Sequence, residues 1–151
     1  MITIIAIGKK HEPWLVEGIN RYQKRLSAPF NLSWTLLANS PQKGTVAVKN
    51  ESDDILNKLK SGDFVILLDE RGKMFDSPTL AKKLTIPLEQ SKNVVIIIGG
   101  AYGVSLELQT RADLVWSLSP LVFPHQLVRL MLIEQLYRAQ TIHAGLPYHN
   151  E

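Results

Sequence analysis

Five short apolar runs punctuate the chain, at residues 2–7, 32–37, 64–68, 94–98 and 114–118. Most are continuous rather than alternating and rich in β-branched residues, the pattern of parallel strands buried on both faces. Stretches with helical spacing lie between them. Leu15, Ile19, Tyr22 and Leu26 recur at four- and three-residue intervals behind Pro13, and Ile55, Leu56 and Leu59 form a shorter stripe. Ser77-Pro78 reads as the cap of another helix, and Ser105 as the cap of one reaching Ala112. This alternation predicts one α/β domain over residues 1–151, an open parallel sheet with helices on both faces.

The last third of the chain departs from the plain amphipathic pattern. Residues 126–143 contain no Pro or Gly, and Pro124 stands just ahead, where its missing N–H costs nothing. At about 100° per residue, Leu127, Leu130, Met131 and Tyr137 share one face, while Val128, Leu132, Leu136 and Ala139 cover much of the other. A helix apolar nearly all round requires burial on all sides. One side can enter the core of the chain itself; the other calls for a second molecule, and a homodimer packed through this helix is expected. Glu134 and Arg138 lie one turn apart on the first face, acid before base, the better order for an ion pair.

Composition narrows the classes of function. Of the 151 residues, 45% are hydrophobic and 21% charged, the balance of an ordinary soluble globule. A net charge of +3 permits a nucleic-acid partner without demanding one. The absence of Cys excludes disulfides, thiolate metal sites and a Cys nucleophile, and fits a cytoplasmic location. The opening apolar run is too short for a membrane span and lacks a basic leader, so no membrane partner is expected. Four scattered His without ligand spacing give no metal site.

Function in open α/β sheets gathers at the carboxyl ends of the strands. Three loops there can line one crevice: Asp69-Glu-Arg-Gly-Lys73, Gly99-Gly-Ala-Tyr-Gly103 and Ser119-Pro-Leu-Val-Phe-Pro-His125. In the second, glycines let a backbone approach a ligand closely. It is neither a Walker A loop nor a dinucleotide fingerprint, and no acid ends the next strand to hold a ribose, so nicotinamide chemistry is disfavoured. In the third, two prolines stiffen an apolar segment whose free backbone groups suit a flat aromatic base.

These residues, together with Ile98-Gly-Gly-x-x-Gly103, Trp116-Ser-Leu-Ser119, Phe123-Pro-His-Gln-Leu-Val-Arg129, Glu134-Gln-Leu-Tyr-Arg138 and the terminal Tyr148-His149, resemble the ribosomal RNA large-subunit pseudouridine N3-methyltransferases of the SPOUT class over the whole chain. The resemblance implies a C-terminal trefoil knot, S-adenosyl-L-methionine bound within it, and a dimer through the C-terminal helix. It further implies methylation of N3 of a pseudouridine in 23S ribosomal RNA of the assembled ribosome. Cofactor contacts carry over to Leu68, Gly99, Gly100, Gly103, Ser119, Pro120, Leu121, Val122, Phe123, Pro124 and His125. One departure is Ala101-Tyr102, where many relatives have Pro-Glu or Ser-Asn.

Methyl transfer is an in-line displacement that needs alignment and exclusion of water. The imide N–H of a uracil ring must also lose a proton, a task for a general base. His125, Glu134 and His149 are the candidate bases, and His149 is favoured because histidine is the side-chain type that ordinarily exchanges a proton nearest neutral pH and this one stands on a terminal segment able to close over substrate. Tyr148 would pack on or bond to the base, and Arg129 or Arg138 would orient groups or stabilise charge. Arg21, Lys24, Arg25 and the Lys9-Lys10 pair offer a basic face to RNA, and residues 39–44 form a further loop that could reach it. The alternatives are a SPOUT enzyme acting on another RNA such as tRNA, and a non-catalytic RNA-binding module whose cofactor pocket is blocked by Tyr102.

Overall fold

The computed structural model describes residues 1–150; Glu151, the last residue of the polar terminus, lies outside them. Strands β1 (Ile2–Ile7), β2 (Leu32–Leu37), β3 (Phe64–Lys73), β4 (Val94–Ile98) and β5 (Leu114–Trp116) alternate with helices α1 (Pro13–Gln23), α2 (Gly44–Leu56), α3 (Ser77–Glu89), α4 (Leu106–Arg111) and α5 (His125–Ala144). All strand pairs are parallel, in the order β2-β1-β4-β3-β5. The expected open sheet with helices on both faces is what forms.

Alternation along the strands assigns each side chain to one of two layers. Ile2, Ile4, Ala6, Ile66, Val94, Ile96 and Ile98 pack with Leu80, Leu84, Leu132, Leu136 and Trp116, which belong to the side of α3 and α5. Ile5, Ile7, Val65, Leu67, Val95 and Ile97 pack with Ile55 and Leu108 from α2 and α4. Leu15 and Ile19 of α1 join Ile133 of α5. Because both faces are covered, the inner strands β1 and β4 read as nearly unbroken apolar runs, whereas the edge strand β2 keeps Ser33 and Thr35.

Several boundaries differ from expectation. β3 runs on to Lys73 because, after a bulge, Lys73 pairs with Trp116 and its carbonyl accepts from the Ser117 N–H at 2.8 Å. β5 stops at Trp116, where Ser117 turns its hydroxyl to the Ser119 carbonyl at 2.9 Å. The cap of α3 is Asp76 rather than Ser77: its carboxylate accepts from the Thr79 N–H at 2.9 Å, and Pro78 then falls in the first turn. Ser105 does cap α4, accepting from the Leu108 N–H at 3.2 Å, and that helix closes at Arg111.

α5 exceeds its expected span by one residue at each end and terminates at Gly145, whose φ of 68° is the left-handed cap that glycine adopts without strain. It lies against both α1 and α3, and no side chain between His125 and Ile142 is exposed. The chain therefore covers more of this helix by itself than the helix pattern alone indicated. Leu127, Leu130, Met131, Glu134, Gln135 and Arg138 remain half-buried. Among the described residues no helix is long and apolar enough to cross a membrane.

Candidate active site

The carboxyl ends of β3, β4 and β5 converge on a cavity of about 350 Å³, in the size range of small-ligand sites. The first loop contributes Asp69, Glu70 and Arg71, the second the whole turn from Gly99 to Gly103, and the third Ser119, Leu121, Val122, Phe123 and His125. The three loops grouped from sequence do line one crevice. Of the expected cofactor contacts, Leu68, Gly99, Gly100, Gly103, Ser119, Leu121, Val122, Phe123 and His125 are in the wall; Pro120 and Pro124 shape the loop without lining the cavity. Ile98, Val104, Trp116, Leu118 and Val128 also line it. Each had the signature of an ordinary core position.

The glycine turn closes on itself through a Gly103 N–H to Gly100 carbonyl bond at 3.1 Å, with Gly103 at φ 86°. A side chain at residue 103 would strain that backbone. Tyr102 stands at the rim, 52% exposed, and leaves the cavity open, so the reading in which it plugs the site does not fit. Leu121 and Val122 are 68% and 79% exposed, apolar groups left at the mouth. Below them, Arg71 grips Asp69 with bonds of 2.8 and 3.0 Å from its guanidinium and 2.8 Å from its N–H. Chiefly through that side-chain contact, the Asp69 carboxyl is held below its ordinary value and stays ionised.

A second cluster occupies the other end of α5. Glu134 Oε1 accepts from Arg138 Nε at 3.1 Å, Arg138 Nη2 at 2.5 Å and the Tyr148 hydroxyl at 3.1 Å, while Oε2 accepts from Gln135 Nε2 at 2.8 Å. Arg138 lies over the Tyr148 ring, 4.8 Å from its centroid, and its Nη1 donates to His149 Nδ1 at 3.2 Å. Tyr137 meets Tyr148 edge-on at 4.8 Å. Burial pushes the Tyr148 phenol up to about 12, with Tyr22 and Glu134 adding to the effect. The structure thus unites Glu134, Arg138, Tyr148 and His149. Because an arginine only donates, His149 carries its proton on Nε2 and has no free lone pair in this arrangement.

Arg129 is placed apart from both groups. It is fully buried, and its guanidinium donates to the carbonyls of Lys10 at 3.0 Å, Ile7 at 3.0 Å and Gly8 at 3.1 Å, besides meeting His11 Nδ1 at 3.2 Å. Those contacts tie the end of β1 and the loop before α1 to α5. Gln126 adds to the tie, accepting from the Glu12 N–H at 3.0 Å and donating to the Lys10 carbonyl at 3.3 Å. Lys9, Lys10, Arg21, Lys24 and Arg25 are exposed.

Within one chain the two ends of α5 are far apart. At about 1.5 Å per residue, Glu134 and Arg138 lie roughly 14 and 20 Å along the axis from His125 at the cavity. Trp116 and Leu118 line both the cavity and an adjoining hollow of about 890 Å³, whose wall also includes Tyr22, Phe75, Met131, Glu134 and His149. Among the described residues, no three acidic or imidazole groups are placed to share a metal ion.

The family described as "Predicted SPOUT methyltransferase" matches residues 1–149. Proteins named ribosomal RNA large subunit methyltransferase H resemble the chain throughout: that of Desulfitobacterium hafniense is 43% identical and that of Acetivibrio thermocellus 42%, each alignment covering 98% of both chains. The protein of that name from Hahella chejuensis is 40% identical over 99% of both. The chain belongs to the SPOUT methyltransferases.

Proposed function

We propose that this protein transfers a methyl group from S-adenosyl-L-methionine to N3 of a pseudouridine in the 23S RNA of the assembled ribosome, acting in the cytoplasm as a homodimer. The observation that carries the reading is the cavity at the ends of β3, β4 and β5, in a chain about 40% identical from end to end to proteins named for large-subunit RNA methylation.

The residues present suit that cofactor. The turn from Gly99 to Gly103 offers main-chain groups without side-chain obstruction, and the loop from Ser119 to Phe123 pairs backbone groups with apolar surface fit for a purine. Leu68, Ile98, Phe123 and Val128 give the cavity an apolar part of its wall, suited to excluding water once a ligand is bound. Bound there, S-adenosylmethionine would supply an electrophilic methyl group on a positively charged sulfur. The trefoil knot belongs to the same proposal, supported by the family match over residues 1–149.

The acceptor imide must give up a proton. We assign that proton to His149, which requires Arg138 to leave Nδ1 when RNA arrives; Tyr148 stacks on the base, and Glu134 with Arg138 holds the pair in place. Since His149 lines the neighbouring hollow and not the cavity of its own chain, a twin subunit would let the tail of one protomer meet the cavity of the other. The half-buried face of Leu127, Leu130 and Met131 is the surface assigned to that contact. Arg129 supports the reaction by fixing the loop that presents Lys9 and Lys10 to RNA.

The test is incubation of the purified protein with isotopically labelled S-adenosylmethionine and, separately, 70S ribosomes, free large subunits and tRNA, followed by nucleoside mass spectrometry. Label in an N3-methylated pseudouridine from 70S ribosomes is expected. Label confined to tRNA would transfer the assignment to another RNA.

A further inference from the structure

The methyl-transfer reading leaves one buried acid unused. Glu51, on the inner face of α2, is 4% exposed. Its Oε2 accepts from the Ser40 N–H at 3.0 Å, but its Oε1 has no hydrogen-bond partner among the described residues. That oxygen lies directly under the glycine turn. A Cβ on residue 100 would stand 2.3 Å from Oε1 and 3.1 Å from the carboxylate carbon. A side chain at residue 100 would therefore force the Glu51 carboxylate or the turn to move.

The neighbouring residue repeats the connection. Ser52 is 1% exposed and its hydroxyl accepts from the Ser105 N–H at 2.8 Å, where the glycine turn ends and α4 begins. α2 thus supports this turn at two points, by contact at Gly100 and by a hydrogen bond at Ser105. On its other side Glu51 holds the turn after β2, in which the Ser40 hydroxyl accepts from the Gln42 N–H at 3.1 Å and which exposes Pro41, Gln42 and Lys43. That turn lies at the same edge of the sheet as the cavity and reaches the end of β1, since a Cβ on Gly8 would be 3.9 Å from Asn39 Oδ1.

A buried carboxylate oxygen without a donor is costly, and it persists where another state supplies the donor. The glycine turn packed against Oε1 carries backbone N–H groups, and its residues Ala101 and Tyr102 are exposed. We propose that Glu51 is a positioning residue: Oε1 receives an N–H of residues 100–102 when the turn closes on its ligand, while Oε2 keeps Ser40. Occupation of the cavity and the shape of the turn at residues 38–43 are then set together, and that turn is a surface for the RNA. This rests on the methylation reading. Coupling of this kind is reciprocal, so ribosome binding tightens the cavity in return.

The test compares Glu51→Gln, Glu51→Ala, Gly100→Ala and the double variant Glu51→Ala/Gly100→Ala in the full chain. Thermal midpoint, the Kd for S-adenosylmethionine by calorimetry, and kcat and KM on 70S ribosomes are measured for each. Glutamine keeps the shape and one acceptor, so Glu51→Gln should retain the midpoint while weakening S-adenosylmethionine binding by roughly tenfold and raising the KM for ribosomes. Gly100→Ala should weaken the same binding, and removing the carboxylate in the double variant should recover part of that loss. The proposal is overturned if the Glu51 variants lower only the midpoint, or if Gly100→Ala costs the same whichever residue occupies position 51. A wild-type chain that binds S-adenosylmethionine but modifies no ribosome defeats the methylation reading alone; one that binds none defeats both.

Discussion

The two ends of α5 carry two sites made of different material. At its first turn the cavity is walled by main chain, a glycine turn and a proline-stiffened loop, with apolar side chains behind them. At its far end four side chains, Glu134, Arg138, Tyr148 and His149, hold one another with few main-chain contacts. A site of backbone is sensitive to added bulk and indifferent to most side-chain chemistry. A site of side chains can be taken apart one group at a time while the fold stands. The division suits methyl transfer, in which a common donor must be held in a fixed shape and a large acceptor admitted and released.

Five substitutions, one of them followed across pH, would break or sharpen that contrast. Gly100→Val should have the largest effect: its side chain runs into Glu51, and S-adenosylmethionine binding should fall by on the order of 1,000-fold with secondary structure retained, read by calorimetry and circular dichroism. Arg129→Met lies between the two ends. It deprives the carbonyls of Ile7, Gly8 and Lys10 of a shared donor and should cost about 3 kcal/mol of unfolding free energy in urea. A variant with full stability and lost activity would instead make Arg129 part of the chemistry.

At the far end the expectation reverses. His149→Ala and Glu134→Ala should each leave S-adenosylmethionine affinity within a factor of about two and slow single-turnover methylation of ribosomes by on the order of 100-fold. Unchanged turnover in His149→Ala removes that residue from the mechanism.

The smallest effect concerns His11, beside Arg129. Burial, then the Arg129 charge, lowers its pKa from 6.5. Below pH 6.5 the unfolded chain takes up a proton that the folded chain refuses, so this part of the stability is complete above pH 6.5. It declines as pH falls toward the folded value, with a slope well under about 1.4 kcal/mol per unit for a half-buried ring. Urea midpoints from pH 7.5 to 5.5 should drop less in His11→Asn than in the wild type; parallel profiles would contradict this.

The sheet was legible because its inner strands β1 and β4 are buried on both faces and read as nearly uninterrupted apolar runs, while the edge strand β2 keeps enough of the pattern to follow them. The extension of β3 to Lys73 was not, because it depends on a bulge that brings Lys73 back to Trp116. Asp76 and Ser77 are both good caps, and Pro78 fits the first turn after either. In the site, the glycines and the proline-bounded loop announced themselves by residue type. Trp116, Leu118 and Val128 look from sequence like any core residue, and only tertiary packing decides that one edge of each faces the cavity. Glu51 was the least visible: an acid on a helix reads as solvated, and its burial depends on two turns that fold over it.

The strand order has a consequence for synthesis of the protein. β1 is joined on one side by β2, but its other edge has no partner until residues 94–98 exist to fill the centre of the sheet. Nearly two-thirds of the chain must therefore leave the translating machinery before the middle of the core can close, and the helix that seals one layer comes last. Such distant pairing is slow and exposes apolar edges meanwhile. The chain is thus held unfinished until its final helix emerges.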